Sequence, residues 1–406
     1  MNVRVLLTAA LLAAAVPTAA AVPPETSPEA VCRRFDALFD AGIAENEIAG
    51  ASVVILHDGK IVHKKNVGLA DPESKKPTSD ATIFHWASVT KTFTGVAVLQ
   101  LRDRGKLSLD DAIVKYLPEL RAVHDPYGPI DAITLRHLMT HSAGFRSATW
   151  PWGGEKPWQP AEPAKWSQLV AMFPYTEILF RPGSRYAYSN PGVVFLGRVI
   201  ELLSGDGYEV YVDKNVLKPL GMTRTYFDKA PYHLLPDLSH SFESENGKRT
   251  PGIFDLDTGI TVSNGGLNAP LSDMAKWLAF LSGEPGNAVY EGVLRRASLE
   301  EMWVPRIGVR SPEDLSEAMG LLFFVERHGG RTYIGHSGGQ NGFVTHLYLR
   351  PPSRTAYAIA FNTNAVPGKD GKGPDTRGLD RKLRDFLFAN VFPLFDEPAA
   401  ARAGPR

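Results

Sequence analysis

The chain of 406 residues is predicted to be an α+β protein, on three observations. Near the start, ASVVILH and KIVHKKNVGLA flank Asp58-Gly59 and read as the two arms of a tight hairpin. Near the end, FVTHLYL alternates with the period of two expected of a strand. Between these ends, and again after them, apolar residues recur at helical intervals, as in the run from Ser88 and in LDRKLRDFLFANVF.

Composition narrows the partners before any motif is considered. The 44 basic and 44 acidic residues balance, which leaves no field to attract nucleic acid or an anionic membrane surface. A small-molecule partner is expected instead. The length suits one large two-part enzyme or two ordinary domains, and no internal repeat is visible.

Residues 1–21 carry Arg4, an apolar run from Val5 to Val16, and the small residues Ala19 and Ala21. This is the pattern of an export signal cleaved near Ala21, since the run is too short to span a bilayer. No later segment is apolar for long enough to cross a membrane, so a periplasmic or secreted protein without stable membrane insertion is expected. Cys32 is the sole cysteine, which excludes an internal disulfide and any multi-cysteine metal site. With Phe35, Leu38 and Phe39 it reads as the packed side of a helix opened by Ser27-Pro28.

The hairpin at 51–70 is followed by DPESKKPTSD, a solvated loop. Then comes FHWASVTKTFTG, with the chain's only Ser-x-x-Lys spacing, Ser88 and Lys91, one turn apart on a helix. A serine hydroxyl is a poor nucleophile until a base takes its proton, and lysine serves if its pKa falls from about 10.4. Burial lowers it, and Trp86 and Phe93 are candidates for the apolar shell. The plainer alternative is a capping serine and a surface lysine.

From Leu107 to Leu169 the chain is irregular and helical by turns. His137 and His141 in ITLRHLMTHSAGF stand at i, i+4, yet the glutamate that zinc proteases carry after the first histidine is Leu138 here, so packing is preferred to a metal. Trp150, Trp152, Trp158 and Trp166 fall among Pro and Gly in residues 149–166, a long aromatic loop suited to covering a pocket.

Tyr188-Ser189-Asn190 precedes a helix from Pro191. A tyrosine near Lys91 can shuttle protons if the cation lowers its pKa, and Asn190 can both donate and accept. The alternative is that Asn190 caps the helix and Tyr188 packs. Farther on, Gly335-His336-Ser337-Gly338-Gly339 fits the Gly-x-Ser-x-Gly elbow of α/β-hydrolases. That reading fails because a strand follows instead of a helix, and the only later histidine, His346, has no acid before it. A glycine-bordered strand edge is expected instead, with His336 and Ser337 lining the pocket.

Taken together and in order, Ser88-x-x-Lys91, Tyr188-x-Asn190 and His336-Ser337-Gly338 resemble the motif set of serine β-lactamases and penicillin-binding proteins, nearest the class C branch with its carboxylesterases and D-amino-acid peptidases. ITLRHLMTHSAG, VLKPLGMTRTYF and GGLNAPLSDMAKWL extend the likeness over about Ala51 to Asn362. The resemblance implies an antiparallel sheet flanked by helices with an inserted, mainly helical subdomain. The sheet part would be about 28–85 and 315–395, the helical part about 86–314, the hydrolase domain 22–397, and 398–406 a disordered tail. The strands of 51–70 and 319–363 would pair, and the final helix would cover one face.

By the same resemblance, Ser88 attacks an acyl group, Lys91 and Tyr188 move protons, and Asn190 binds substrate. His336, Ser337, Gly338 and Gly339 border the substrate, and the N–H groups of Ser88 and Gly339 form the oxyanion hole. Members that hydrolyse β-lactams well usually carry lysine where this chain has His336, so a permanent positive charge for a carboxylate is missing there. The expectation is an exported serine hydrolase acting through an acyl-enzyme on a small ester, amide or peptide, without metal or organic cofactor. A β-lactamase or D,D-carboxypeptidase is the alternative, and a non-catalytic sensor of the same fold a third.

Overall fold

The computed structural model describes residues 27–148, 163–246, 248–283 and 286–396. The expected export signal, Trp150, Trp152 and Trp158 of the aromatic loop, and the tail from 398 lie outside the described residues.

Helix α1 (Pro28–Glu45) opens as its sequence dictates: Ser27 caps it, accepting from Ala30 N at 3.2 Å, and Pro28 occupies the first turn. Its buried stripe runs through Val31, Phe35, Phe39 and Ile43. Cys32 is half-buried beside that stripe, not within it, because one residue's step of about 100° carries it off the 31-35-39 row. Strands β1 (Gly50–His57) and β2 (Lys60–Asp71) form the expected hairpin. Asp58 and Gly59 both have positive φ, 51° and 71°, the turn whose twist matches the paired strands.

Strand β3 (Ile83–Ala87) leads into α2 (Thr90–Asp103), and the middle of the chain adds α3 (Asn190–Ser204), β4 (Leu267–Pro270) and α4 (Leu271–Ser282). The C-terminal portion supplies β5 (Phe324–His328), β6 (Arg331–Gln340), β7 (Phe343–Arg350), β8 (Thr355–Phe361) and α5 (Thr376–Phe386). A nine-stranded antiparallel sheet runs in the order Lys76–Pro77, β2, β1, β8, β7, β6, β5, Glu317–Met319, Ile307–Gly308. The two ends of the chain meet at its centre, where β1 pairs with β8 from Ala51 opposite Phe361 to His57 opposite Thr355.

Both faces of those central strands are buried, so they read as nearly unbroken apolar runs. Val53, Ile55, Tyr357 and Ile359 face a core shared with α1 and α5. Val54, Leu56, Ala356, Ala358 and Ala360 face the larger core of α2, α3 and α4. The architecture is therefore the expected antiparallel sheet between helical layers. A second, three-stranded sheet pairs β3 with β4, Phe84 opposite Ala269, and β4 with Tyr226–Phe227. Thr345 Oγ1 on β7 donates to the Trp86 carbonyl at 3.1 Å, which ties the end of β3 to the main sheet.

Candidate active site

Ser88 lies at the turn between β3 and α2. The backbone reverses at Ala87, a non-glycine residue at φ 45°, a conformation that costs of order 1–3 kcal/mol and persists only where surrounding contacts enforce it. Lys91 N donates to the Ser88 carbonyl at 3.1 Å, so the first turn of α2 sets the two side chains on one side, and Lys91 Nζ is 2.9 Å from Ser88 Oγ. Lys91 also donates to the Asn264 carbonyl at 2.8 Å.

Lys91 is fully buried, and burial alone pulls its pKa well below the ordinary lysine value, which favours the neutral amine and its lone pair. The Phe93 part of the expected shell is not found. Phe93 turns away and stacks on Trp277 with ring centroids 3.7 Å apart, because two residues on a helix face nearly opposite directions. The ring against the amine is Tyr188, its centroid 4.9 Å from Nζ.

Tyr188 therefore reaches the pair, as the motif order suggests. Its phenol is nonetheless raised in pKa, not lowered: burial dominates, and the hydrogen bond with Ser88 offsets only part of it. Burial thus holds Tyr188 as a neutral hydroxyl able to donate. Ser189, not Asn190, caps α3, accepting from Gly192 N at 3.2 Å. This releases the Asn190 side chain, whose Oδ1 is buried without a hydrogen-bond partner among the described residues.

The third motif lies within β6, with β7 directly after it, so Ser337 is not at an elbow. Pairing with β5 stops at Phe324 opposite Gly335, whereas pairing with β7 continues to Gln340, which leaves 336–340 with one open edge. The two-residue turn at 329–330 makes His328 and Arg331 the hydrogen-bonded pair next to it. Odd-numbered N–H groups of β6 thus point toward β5 and, past its end, those of Ser337 and Gly339 point to the open edge. Side chains alternate too. His336 and Gly338 face Ser88, and a Cβ at 338 would be 3.2 Å from Ser88 N.

Ser337 therefore corrects an expectation, since strand alternation puts its side chain on the opposite face. There it borders a hollow of about 160 Å³ with Arg377, Asp380 and Arg384. Only its backbone serves the site: His336 Nδ1 donates to the Ser337 carbonyl at 2.7 Å. That fixes the tautomer and leaves Nε2 unprotonated, buried and without a partner among the described residues. Burial and the neighbouring Lys91 bring the His336 pKa down to about 3, so it is neutral as expected.

A sequence model of the beta-lactamase family matches residues 35–380. The chain belongs to that family. Among curated relatives of this beta-lactamase-family chain, protein flp of Staphylococcus aureus (strain COL) is 24% identical over 335 residues, which is 82% of this chain and 63% of flp, so the chain spans less than two thirds of that relative's length. Esterase EstB of Burkholderia gladioli is 32% identical over 215 residues, 49% of this chain and 54% of EstB. Among solved structures, an octameric penicillin-binding protein homologue from Pyrococcus abyssi superposes with TM-score 0.72 at 26% identity, covering 88% of this chain and 78% of its own. A class C beta-lactamase superposes with TM-score 0.73 at 19% identity, covering 89% and 96%, a likeness of fold.

Three neighbours of the site escape a reading of motifs. Asn264 contributes only a carbonyl, which any residue could supply. Arg377, at the start of α5, covers the outer side of Gly339, with Cζ 3.3 Å from where a Cβ would stand. His141 does not pair with His137 around a metal, because the helix ends at Met139 and both Nδ1 atoms accept backbone N–H groups, of Thr134 for His137 and Ser189 for His141. Trp166 likewise leaves the expected loop. It starts a helix at Trp166–Met172 and packs on Phe173 and Phe195, a 166-169-173 spacing that was readable as helical.

Proposed function

We propose that this chain is an exported serine hydrolase that forms an acyl-enzyme at Ser88 on a small ester or amide. The observation that carries the reading is a buried Lys91 amine, its pKa pulled well below the ordinary lysine value, 2.9 Å from Ser88 Oγ and beside the stretch of β6 that β5 leaves unpaired. The Lys91 lone pair takes the Ser88 proton as Oγ attacks the acyl carbon. The oxyanion is held by the Ser88 and Gly339 N–H groups, an interaction worth about 3 kcal/mol per donor in comparable sites. The proton returns to the leaving group through the neutral Tyr188 hydroxyl, and water reverses the sequence to release the acid. Neutral His336 and the free Asn190 Oδ1 present hydrogen-bond acceptors to the substrate, which suits an uncharged ester or amide. The partial likeness to an esterase supports this choice.

A second reading has one specific observation in its favour. The Arg377 guanidinium beside Gly339 restores, from another element, the positive charge that His336 lacks, as a β-lactam or peptide carboxylate would require. Intact-mass analysis after exposure to nitrophenyl esters, D-amino-acid amides and nitrocefin discriminates. An acyl adduct from esters that vanishes in Ser88→Ala, with the fold retained, supports the first reading. Clear preference for nitrocefin supports the second, and full activity of Ser88→Ala removes both.

A further inference from the structure

We propose that His141 is a positioning residue that clamps Tyr188 for its proton transfer; this rests on the role given to Tyr188 above. The contacts bracket the tyrosine on three sides. Ala187 N donates to the His141 carbonyl at 2.8 Å, and Ser189 N donates to His141 Nδ1 at 3.2 Å, so the residues before and after Tyr188 are both fastened to one residue. The third contact is between rings, with the His141 and Tyr188 centroids 4.5 Å apart at 33°. The other edge of the imidazole meets Tyr186 at 6.1 Å, nearly perpendicular.

The backbone of His141 is shaped for this grip. It lies just past the helix Leu135–Met139 at φ 52°, left-handed territory that a histidine enters only where contacts hold it. The side chain is 1% exposed, so the imidazole cannot swing into solvent. Burial and the nearby Lys91 and His336 hold its pKa well down, and a neutral ring is what accepting at Nδ1 requires. The proton then resides on Nε2, which has no partner among the described residues.

A misplacement near 1 Å of a reacting group costs about 10²-fold in rate, so removal of the clamp should act on kcat through Tyr188. The experiment is a double-mutant cycle on a nitrophenyl ester with His141→Leu, Tyr188→Phe and both together, alongside His141→Asn. Asparagine tolerates positive φ, and its Oδ1 stands where Nδ1 stood, so it retains the bond to Ser189 N while losing the ring contact. His141→Leu is expected to lower kcat by about 30-fold to 100-fold, with KM within about twofold. His141→Asn should recover a large part of that loss. In the Tyr188→Phe background His141→Leu should cost less than about threefold more, since the hydroxyl it positions is gone. Equal losses from His141→Leu in both backgrounds would mark it as merely structural and overturn the proposal. A Tyr188→Phe variant with undiminished kcat, beside a still inactive Ser88→Ala, would instead show that the tyrosine role itself is wrong, and the clamp would fall with it.

Discussion

Two neighbouring glycines should answer oppositely to the same substitution. In Gly338→Ala the new methyl would be 2.6 Å from Thr345 Oγ1, 3.2 Å from Ser88 N, and in collision with the Trp86 carbonyl. Thr345 Oγ1 is already bonded to that carbonyl at 3.1 Å, so it cannot rotate away without leaving its own buried hydroxyl unpaired. Ordinary contact needs about 3.5 Å, so β3 and β6 must part by roughly 1 Å. The displacement falls on the Ser88 amide, a proposed oxyanion donor. At about 10²-fold per ångström of misplacement the expected loss in kcat/KM is about 100-fold, or about 2.7 kcal/mol.

Gly339→Ala puts the methyl on the other face, where it meets only the end of the exposed Arg377 side chain, which can move. Its kcat/KM should stay within about threefold of the parent. The assay is nitrophenyl ester hydrolysis on samples shown by thermal melting to be folded. Gly338→Ala within threefold of the parent, or Gly339→Ala the more damaging of the two, would refute the assignment of faces along β6.

Two further outcomes follow from the electrostatics. Lys91→Met should abolish turnover yet stabilise the fold at neutral pH. The unfolded chain binds a proton that the buried amine refuses, so between the depressed folded pKa and about 10.4 the parent gains stability as pH rises, by up to about 1.4 kcal/mol per unit. The advantage of Lys91→Met in melting temperature should therefore shrink toward pH 10, and a difference independent of pH would contradict a lowered Lys91 pKa. Arg377→Ala should lower turnover of a carboxylate-bearing substrate such as nitrocefin by about tenfold while leaving neutral esters within about twofold. An equal fall for both classes would remove Arg377 from carboxylate binding.

The amino-acid sequence by itself determined the elements that depend on neighbours along the chain. Asp58-Gly59 set the hairpin, Ser27-Pro28 set a helix start, and the spacing of Ser88 and Lys91 set one turn of separation, because turn and helix geometry are local. The tertiary structure decided which face and which edge each residue presents. It sent Ser337 to the outer face of β6, where Arg377 also lies against Gly339, put Tyr188 rather than Phe93 against Lys91, and brought His141 against Tyr188, a place to which no motif assigned it. It also decided the proton affinities, since an amine's pKa falls and a phenol's rises only once segments about a hundred residues apart close around them and exclude water.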